Sequence, residues 1–206
     1  MAKRIGLART EALIENLKRE ISLSSGAGSS TAADITGFGA GWVVDNDSKG
    51  PTISNINGRI ITKLFIDLQG NASVADVDDV IGNASGGAAY VYRHSNTIGG
   101  FVESITVTCI EAPTTGADDI DFRLSSNGAL AYDGDASGGA SMIIATEAWA
   151  IGISKRVDDS NTSEYFGRLT GANFDGLYMY LCSGEAAAGE YGAGKFIVTI
   201  VGNEAF

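Results

Sequence analysis

The stretch Arg59-Ile60-Ile61-Thr62-Lys63-Leu64-Phe65-Ile66-Asp67 alternates with a period of two. Ile60, Thr62, Leu64 and Ile66 share one face, while Ile61, Lys63, Phe65 and Asp67 share the other. Successive side chains of a strand point to opposite sides, so this run reads as a β-strand with one apolar and one mixed face. The same signal returns on both sides of it. Residues 103–110 set Ile105, Val107 and Cys109 against Thr106, Thr108 and Ile110. Residues 88–92 form a short aromatic run, and 120–124, 141–153, 176–182 and 195–201 are the remaining strand candidates.

Turn signals separate these runs: Asp45 to Gly50, Asn83 to Gly87, Ser125 to Gly128 and Asp133 to Gly139. The 28 glycines follow no collagen spacing and read as turns, bulges and tight loops; with only Pro51 and Pro113, a proline-rich linker is excluded. Roughly eight strands with no helical pattern between them predict an all-β fold, a β-sandwich or jelly-roll-like domain. Residues 76–81 fit one helical turn or a loop.

One helical pattern precedes the strands, over residues 4–21. Leu7, Ile14 and Ile21 recur every seven residues, with Thr10 and Leu17 at the intervening core position and Leu13 beside them. So short a helix is marginal alone, because nucleation is costly. The spacing fits docking on its own domain or pairing with copies of itself, and does not choose between them. The predicted organisation is therefore an N-terminal α-helix over 1–23, acting as anchor or oligomerisation element through Leu7, Thr10, Ile14, Leu17 and Ile21. A flexible Gly/Ser linker follows over 24–34, then one β domain over 35–206.

Charge bounds the partners. A net charge of −11 repels phosphate backbones and anionic membrane surfaces, so neither nucleic acid nor membrane is expected as a partner. Lys3, Arg4, Arg9, Lys18 and Arg19 form the one basic region, at the N-terminus. No apolar run approaches the ~20 residues of a membrane span, and no apolar leader follows Met1. Cys109 and Cys182 each sit inside an apolar run and are expected as buried thiols.

Few residues suggest chemistry. His94, the one histidine, reads as an exposed loop residue at a strand end, with no Gly-x-Ser-x-Gly elbow to complete a triad. One histidine and two separated cysteines leave no ordinary zinc set, so no metal, cofactor or catalytic residue is expected. The close-set glycines of Gly37-Phe38-Gly39-Ala40-Gly41-Trp42 lack the Lys-Ser/Thr pair of a phosphate loop. Three acidic groups remain: Asp118, Asp119 and Asp121; Asp76, Asp78 and Asp79; Asp133 and Asp135. They are solvated turn carboxylates or Ca²⁺ ligands, and none matches the EF-hand loop. Tyr165, Phe166, Tyr178, Tyr180 and Tyr191 are expected in the core or at an interface.

Two stretches resemble virion structural proteins of marine and cyanobacterial tailed bacteriophages. The first runs from Asp79-Val80-Ile81-Gly82-Asn83 through Tyr90, then Cys109-Ile110-Glu111-Ala112-Pro113 and Asp118 to Asp121. The second is Leu177-Tyr178-Met179-Tyr180-Leu181 with Ala193-Gly194-Lys195-Phe196-Ile197-Val198, and the opening Met1 to Glu20 is similar too. The resemblance implies a non-enzymatic capsid decoration or cement protein in the virion, a homo-oligomer with a trimer among its candidate states. Its partners would be copies of itself and the major capsid protein. The alternative is a tail-fibre or receptor-binding module that recognises a host surface glycan.

Overall fold

The computed structural model describes residues 37–44, 47–84, 86–138, 140–145, 148–158 and 174–204. The predicted helix 1–23 with Leu7, Thr10, Ile14, Leu17 and Ile21, the linker 24–34, and Tyr165 and Phe166 lie outside the described residues. What is described belongs to the unit Ala32–Phe206.

The chain is all-β with antiparallel pairing. Its strands are β1 (Lys49–Ile56), β2 (Arg59–Asp67), β3 (Ala72–Ser73), β4 (Tyr92–Arg93), β5 (Phe101–Thr114), β6 (Ile120–Ser125), β7 (Ala140–Ile144), β8 (Ser154–Asp158), β9 (Tyr178–Ser183), β10 (Gly189–Glu190) and β11 (Ala193–Asn203). A single helical turn, α1 (Asn96–Gly99), precedes β5. A large five-stranded sheet has the order β1-β2-β11-β5-β8, and a small four-stranded sheet the order β4-β9-β6-β7. The strands β10 and β3 pair separately.

The alternation of β2 survives intact, with Ile60, Thr62, Leu64 and Ile66 buried. β11 pairs along its whole length, from Arg59↔Asn203 to Asp67↔Lys195, so Phe196, Val198 and Ile200 extend the same face. From the small sheet, Phe122 and Leu124 of β6 and Met179 and Leu181 of β9 join these residues in one core. At its centre Phe196, Phe122 and Trp149 meet edge to face, with centroids 5.2–6.0 Å apart. The large sheet contributes Phe196 and the small sheet Phe122, and Trp149 comes from the β7–β8 connection.

Trp149 also explains a difference from the sequence pattern. Its amide donates to the Asp118 carbonyl (3.0 Å) and its indole Nε1–H to the Ile120 carbonyl (2.8 Å), pulling the chain into the core. The apolar run 141–153 therefore breaks, and the chain crosses from β7 in the small sheet to β8 in the large one. The run 88–92 is strand only at its end. Its carbonyls serve the glycine segment instead, Gly39 N–H donating to Tyr90 O and Gly41 N–H to Ala88 O, both at 2.8 Å. A Cβ on Gly39 would enter the Ala88 carbonyl, and one on Gly41 the Gly87 carbonyl. Those glycines permit close backbone approach and hold no phosphate loop.

Where a turn was expected at Asp45 to Gly50, β1 begins at Lys49. It is paired to β2 by Asn57 (φ 56°) and Gly58 (φ 81°), a two-residue turn with both residues left-handed. That turn matches the twist of the flanking strands.

The shared core predicts a sharp contrast between the two faces of β11. Phe196→Ala should lower unfolding free energy by about 3–5 kcal/mol, and Thr199→Ala on the other face by less than about 0.5 kcal/mol. Urea denaturation of both variants checks it; equal losses would mean the register is wrong.

Candidate functional site

Every residue of β6 is buried, Ile120 through Ser125. Its apolar side chains fill the shared core, so Asp121, Arg123 and Ser125 project from the opposite face. β9 does the same with Tyr180 and Cys182. A layer of loops covers this face, packing Val80, Ala89 and Ala136 on Tyr180 and Cys182.

Backbone bonds hold the layer in place. Asp78 N–H donates to Ser183 O (2.8 Å), Ser183 N–H to Asp79 O (2.9 Å) and Ile81 N–H to Leu181 O (2.9 Å). The second loop is tied to the first by Val80 N–H to Gly134 O (3.0 Å) and Ala136 N–H to Asp78 O (3.1 Å). These bonds bring together carboxylates that are far apart in sequence. Asp76, Asp133 and Asp135 all act on Asp79, and Asp78 and Asp119 on Asp121.

Arg123 is the counter-charge. Its guanidinium bonds Asp78 and lies 3.5 Å from Asp121, and it is buried. Burial outweighs this pairing at Asp121, whose carboxyl is pushed up to about 6. Asp79 is raised as well, first by desolvation and then by its acidic neighbours. Asp121, grouped from the sequence with Asp118 and Asp119 as a solvated turn carboxylate or Ca²⁺ ligand, is instead a buried strand residue beside Arg123, which is not singled out from the sequence. The signal was Asp121-Phe122-Arg123-Leu124, opposite charges two apart on one face of a strand.

Among the described residues, no group of three or more His, Cys, Asp or Glu side chains is disposed to hold a metal ion. Cys109 and Cys182 are buried and unbridged, and burial pushes both thiols up, which suppresses thiolate chemistry. Tyr180 and Tyr191 are fully buried, their hydroxyls donating to Asn127 O (2.8 Å) and Ala117 O (3.0 Å). Tyr178 is half-buried under the Arg93 guanidinium, 5.5 Å from the ring centroid.

His94 corrects the expectation of an exposed loop residue: it is 1% exposed. Gly100 O lies 3.0 Å from Nε2 and can only accept, so Nε2 carries the proton. Nδ1 is then the acceptor for the Tyr92 hydroxyl at 3.1 Å. Burial lowers its basicity and keeps the ring neutral, a structural pin between α1 and β4.

The second surface is the outer face of the large sheet. Phe65 stands opposite Ile197 and Ile61 opposite Val201, all four half-buried. Between these pairs one row runs Thr52, Lys63, Thr199, Thr106 and Arg156 across all five strands. Six of the eight cations among the described residues, Lys49, Arg59, Lys63, Lys155, Arg156 and Lys195, lie on strands of this sheet. Arg59 bonds Glu103 twice (2.8 and 2.9 Å), and Lys195 lies 3.1–3.7 Å from Asp47, Glu111 and Asp67.

The titrations of the two buried groups oppose each other. In the folded chain Asp121 takes up its proton as pH falls through about 6, while an unfolded Asp waits until about 3.9. Its stabilising contribution is present below about 3.9 and is lost as pH rises through about 6. Neutral His94 costs stability once pH drops below about 6.5, where an unfolded imidazole protonates. Urea midpoints from pH 4 to 8 should therefore lose their acid-side gain in Asp121→Asn and lose their acid-side penalty in His94→Gln. A wild-type profile in Asp121→Asn would refute the buried-carboxylate account. Compared with known protein families, curated proteins and solved structures, the chain matches none.

Proposed function

We propose that this chain is a non-enzymatic structural protein of a tailed-phage virion, a β-sandwich module that decorates or cements the capsid surface as a symmetric oligomer. The observation that carries the assembly part is the apolar strip on the outer face of the large sheet, where Ile61, Phe65, Ile197 and Val201 stand half-buried among the ion pairs Arg59–Glu103, Arg156–Asp158 and Lys195–Glu111. An apolar patch within a polar rim is the anatomy of a specific interface.

The virion part rests on the sequence resemblance over residues 79–90, 109–121, 177–181 and 193–198. In this reading the two sheets that share a core form the sandwich, and the segment with Leu7, Thr10, Ile14, Leu17 and Ile21 anchors it or helps it oligomerise. Its partners are copies of itself and the major capsid protein. The rival reading, glycan recognition at a tail fibre, needs open aromatic faces. Tyr178 is a poor candidate, because Arg93 covers one face and a Cβ at Gly128 would meet the ring.

Capsid shells lacking this chain should pull the full-length protein down on co-sedimentation, with saturation at a fixed ratio to the major capsid protein. A particle reconstruction should then find it on the shell. Density at the tail tip, or no binding to shells, sinks the decoration reading.

A further inference from the structure

We propose that Asn57 is a site of spontaneous deamidation in the β1–β2 turn, and that a clasp formed by Asn55 and Glu204 sets its rate. The site is independent of the virion reading above.

The chemistry needs an asparagine whose side chain can reach the backbone nitrogen of the next residue. A following glycine has no Cβ to obstruct that approach. Asn-Gly occurs twice in the sequence, at Asn57-Gly58 and Asn127-Gly128. In the reaction the Gly58 amide gives its proton to water, and its nitrogen attacks Asn57 Cγ. The Cγ–Nδ2 bond breaks, the leaving nitrogen takes up a proton and departs as ammonia, and a succinimide ring remains. Water opens the ring at Cγ to give aspartate, or at the backbone carbonyl to give isoaspartate. Water enters, ammonia leaves, and no oxidant or reductant takes part.

Both asparagines are exposed, so access to solvent does not separate them. Hydrogen bonding does. Asn127 Oδ1 accepts from Ala129 N–H (3.0 Å), and the Asn127 carbonyl accepts from the Tyr180 hydroxyl (2.8 Å). Gly128 lies against the Tyr178 ring, where a Cβ would come 2.5 Å from Cζ. Swinging Asn127 Cγ onto the Gly128 nitrogen breaks the first bond and disturbs the second. The Asn57 side chain, by contrast, has no hydrogen bond among the described residues. Its turn also has room for the ring, since a Cβ at Gly58 would meet only Glu204 Oε2, at 3.8 Å.

What restrains Asn57 is the attacking nitrogen. Gly58 N–H donates to Asn55 Oδ1 (3.1 Å), Asn55 Nδ2 donates to Glu204 Oε1, and Glu204 N–H donates to the Gly58 carbonyl (2.9 Å). Glu204, just past β11, thus clasps the turn, and the Gly58 nitrogen must leave Asn55 before it reacts. Asn55 and Glu204 are both exposed, and surface bonds of this kind open at low free energy. The consequence falls on β1. Isoaspartate lengthens the backbone of the two-residue turn by one carbon, and β1 has β2 as its one neighbour in the sheet.

The test ages the full chain at mildly alkaline pH and maps its peptides by mass spectrometry, with protein isoaspartyl methyltransferase as the probe for isoaspartate. Acid should accumulate at residue 57 about tenfold or more faster than at 127, because two bonds oppose the reaction at Asn127. In guanidinium chloride the two rates should converge, since the difference belongs to the fold. Glu204→Ala should raise the rate at 57 about threefold by freeing Asn55, and leave the rate at 127 unchanged. If that variant alters the near-UV circular dichroism, Asn55→Ala replaces it and removes the acceptor directly. Three outcomes overturn the proposal: no acid at 57 or acid first at 127, a rate gap that persists in guanidinium chloride, or an unchanged rate at 57 in a folded clasp variant.

Discussion

Burial of β6 on both faces is the constraint from which the rest of the molecule follows. A strand in an antiparallel sheet ordinarily gives one face to the core and one to water. In β6 the second face is closed as well, so Asp121 and Arg123 cannot use solvent. Each would be costly if left unpaired. The loop carrying Asp78 supplies the partner, and in doing so it must lie flat on the small sheet. The backbone bonds from Asp78, Ile81 and Ser183 then follow from the same need, because a covered loop has to satisfy its own amides.

Closing that face concentrates acid on one side of the domain. Asp78 arrives with Asp76 and Asp79 next to it in sequence, and the loop bonded to them brings Asp133 and Asp135. One buried arginine does not neutralise this group, and the upward shift of Asp79, set first by desolvation, is increased by its acidic neighbours. Most of the described cations lie on strands of the large sheet, where Glu103, Asp158 and Glu111 pair with Arg59, Arg156 and Lys195.

The part legible in the sequence was the part written in alternation. β2 and β5 keep the faces assigned to Ile60 and Ile105, because their period is local and the core merely selects one side, and β9 and β11 overlap the candidate strands 176–182 and 195–201. β1 was missed although Asn57-Gly58, a strong hairpin signal, stood between it and β2. Weak alternation explains the miss, since β1 is an edge strand with no fully buried residue. Residues 141–153 were misjoined because Trp149 supplies an apolar position by entering the core from a connection. His94 was placed outside for want of any local sign of the Gly100 carbonyl and Tyr92 hydroxyl that receive it. The site itself was legible only in pieces. Three acidic groups were seen, but convergence around Arg123 depends on contacts across 45 positions of chain, from Asp78 to Arg123.

The sheet edges bear on how such a domain can assemble. An open edge invites strand addition, and β1, β8 and β4 discourage it. β1 carries Pro51 and a register shift between Lys49 and Thr52. β8, at the other end of the large sheet, exposes Lys155 and Arg156, and β4 is only two residues long. Strand-to-strand growth through these edges would have to unpair a bulge, add to a proline, or bury lysine. Contact through faces requires none of these. The same arginine that guards the β8 edge, Arg156, lies in the row with Lys63 on the outer face. One residue therefore guards the edge by which sheets aggregate and, 3.4 Å from Asp158, sets an ion pair on the outer face.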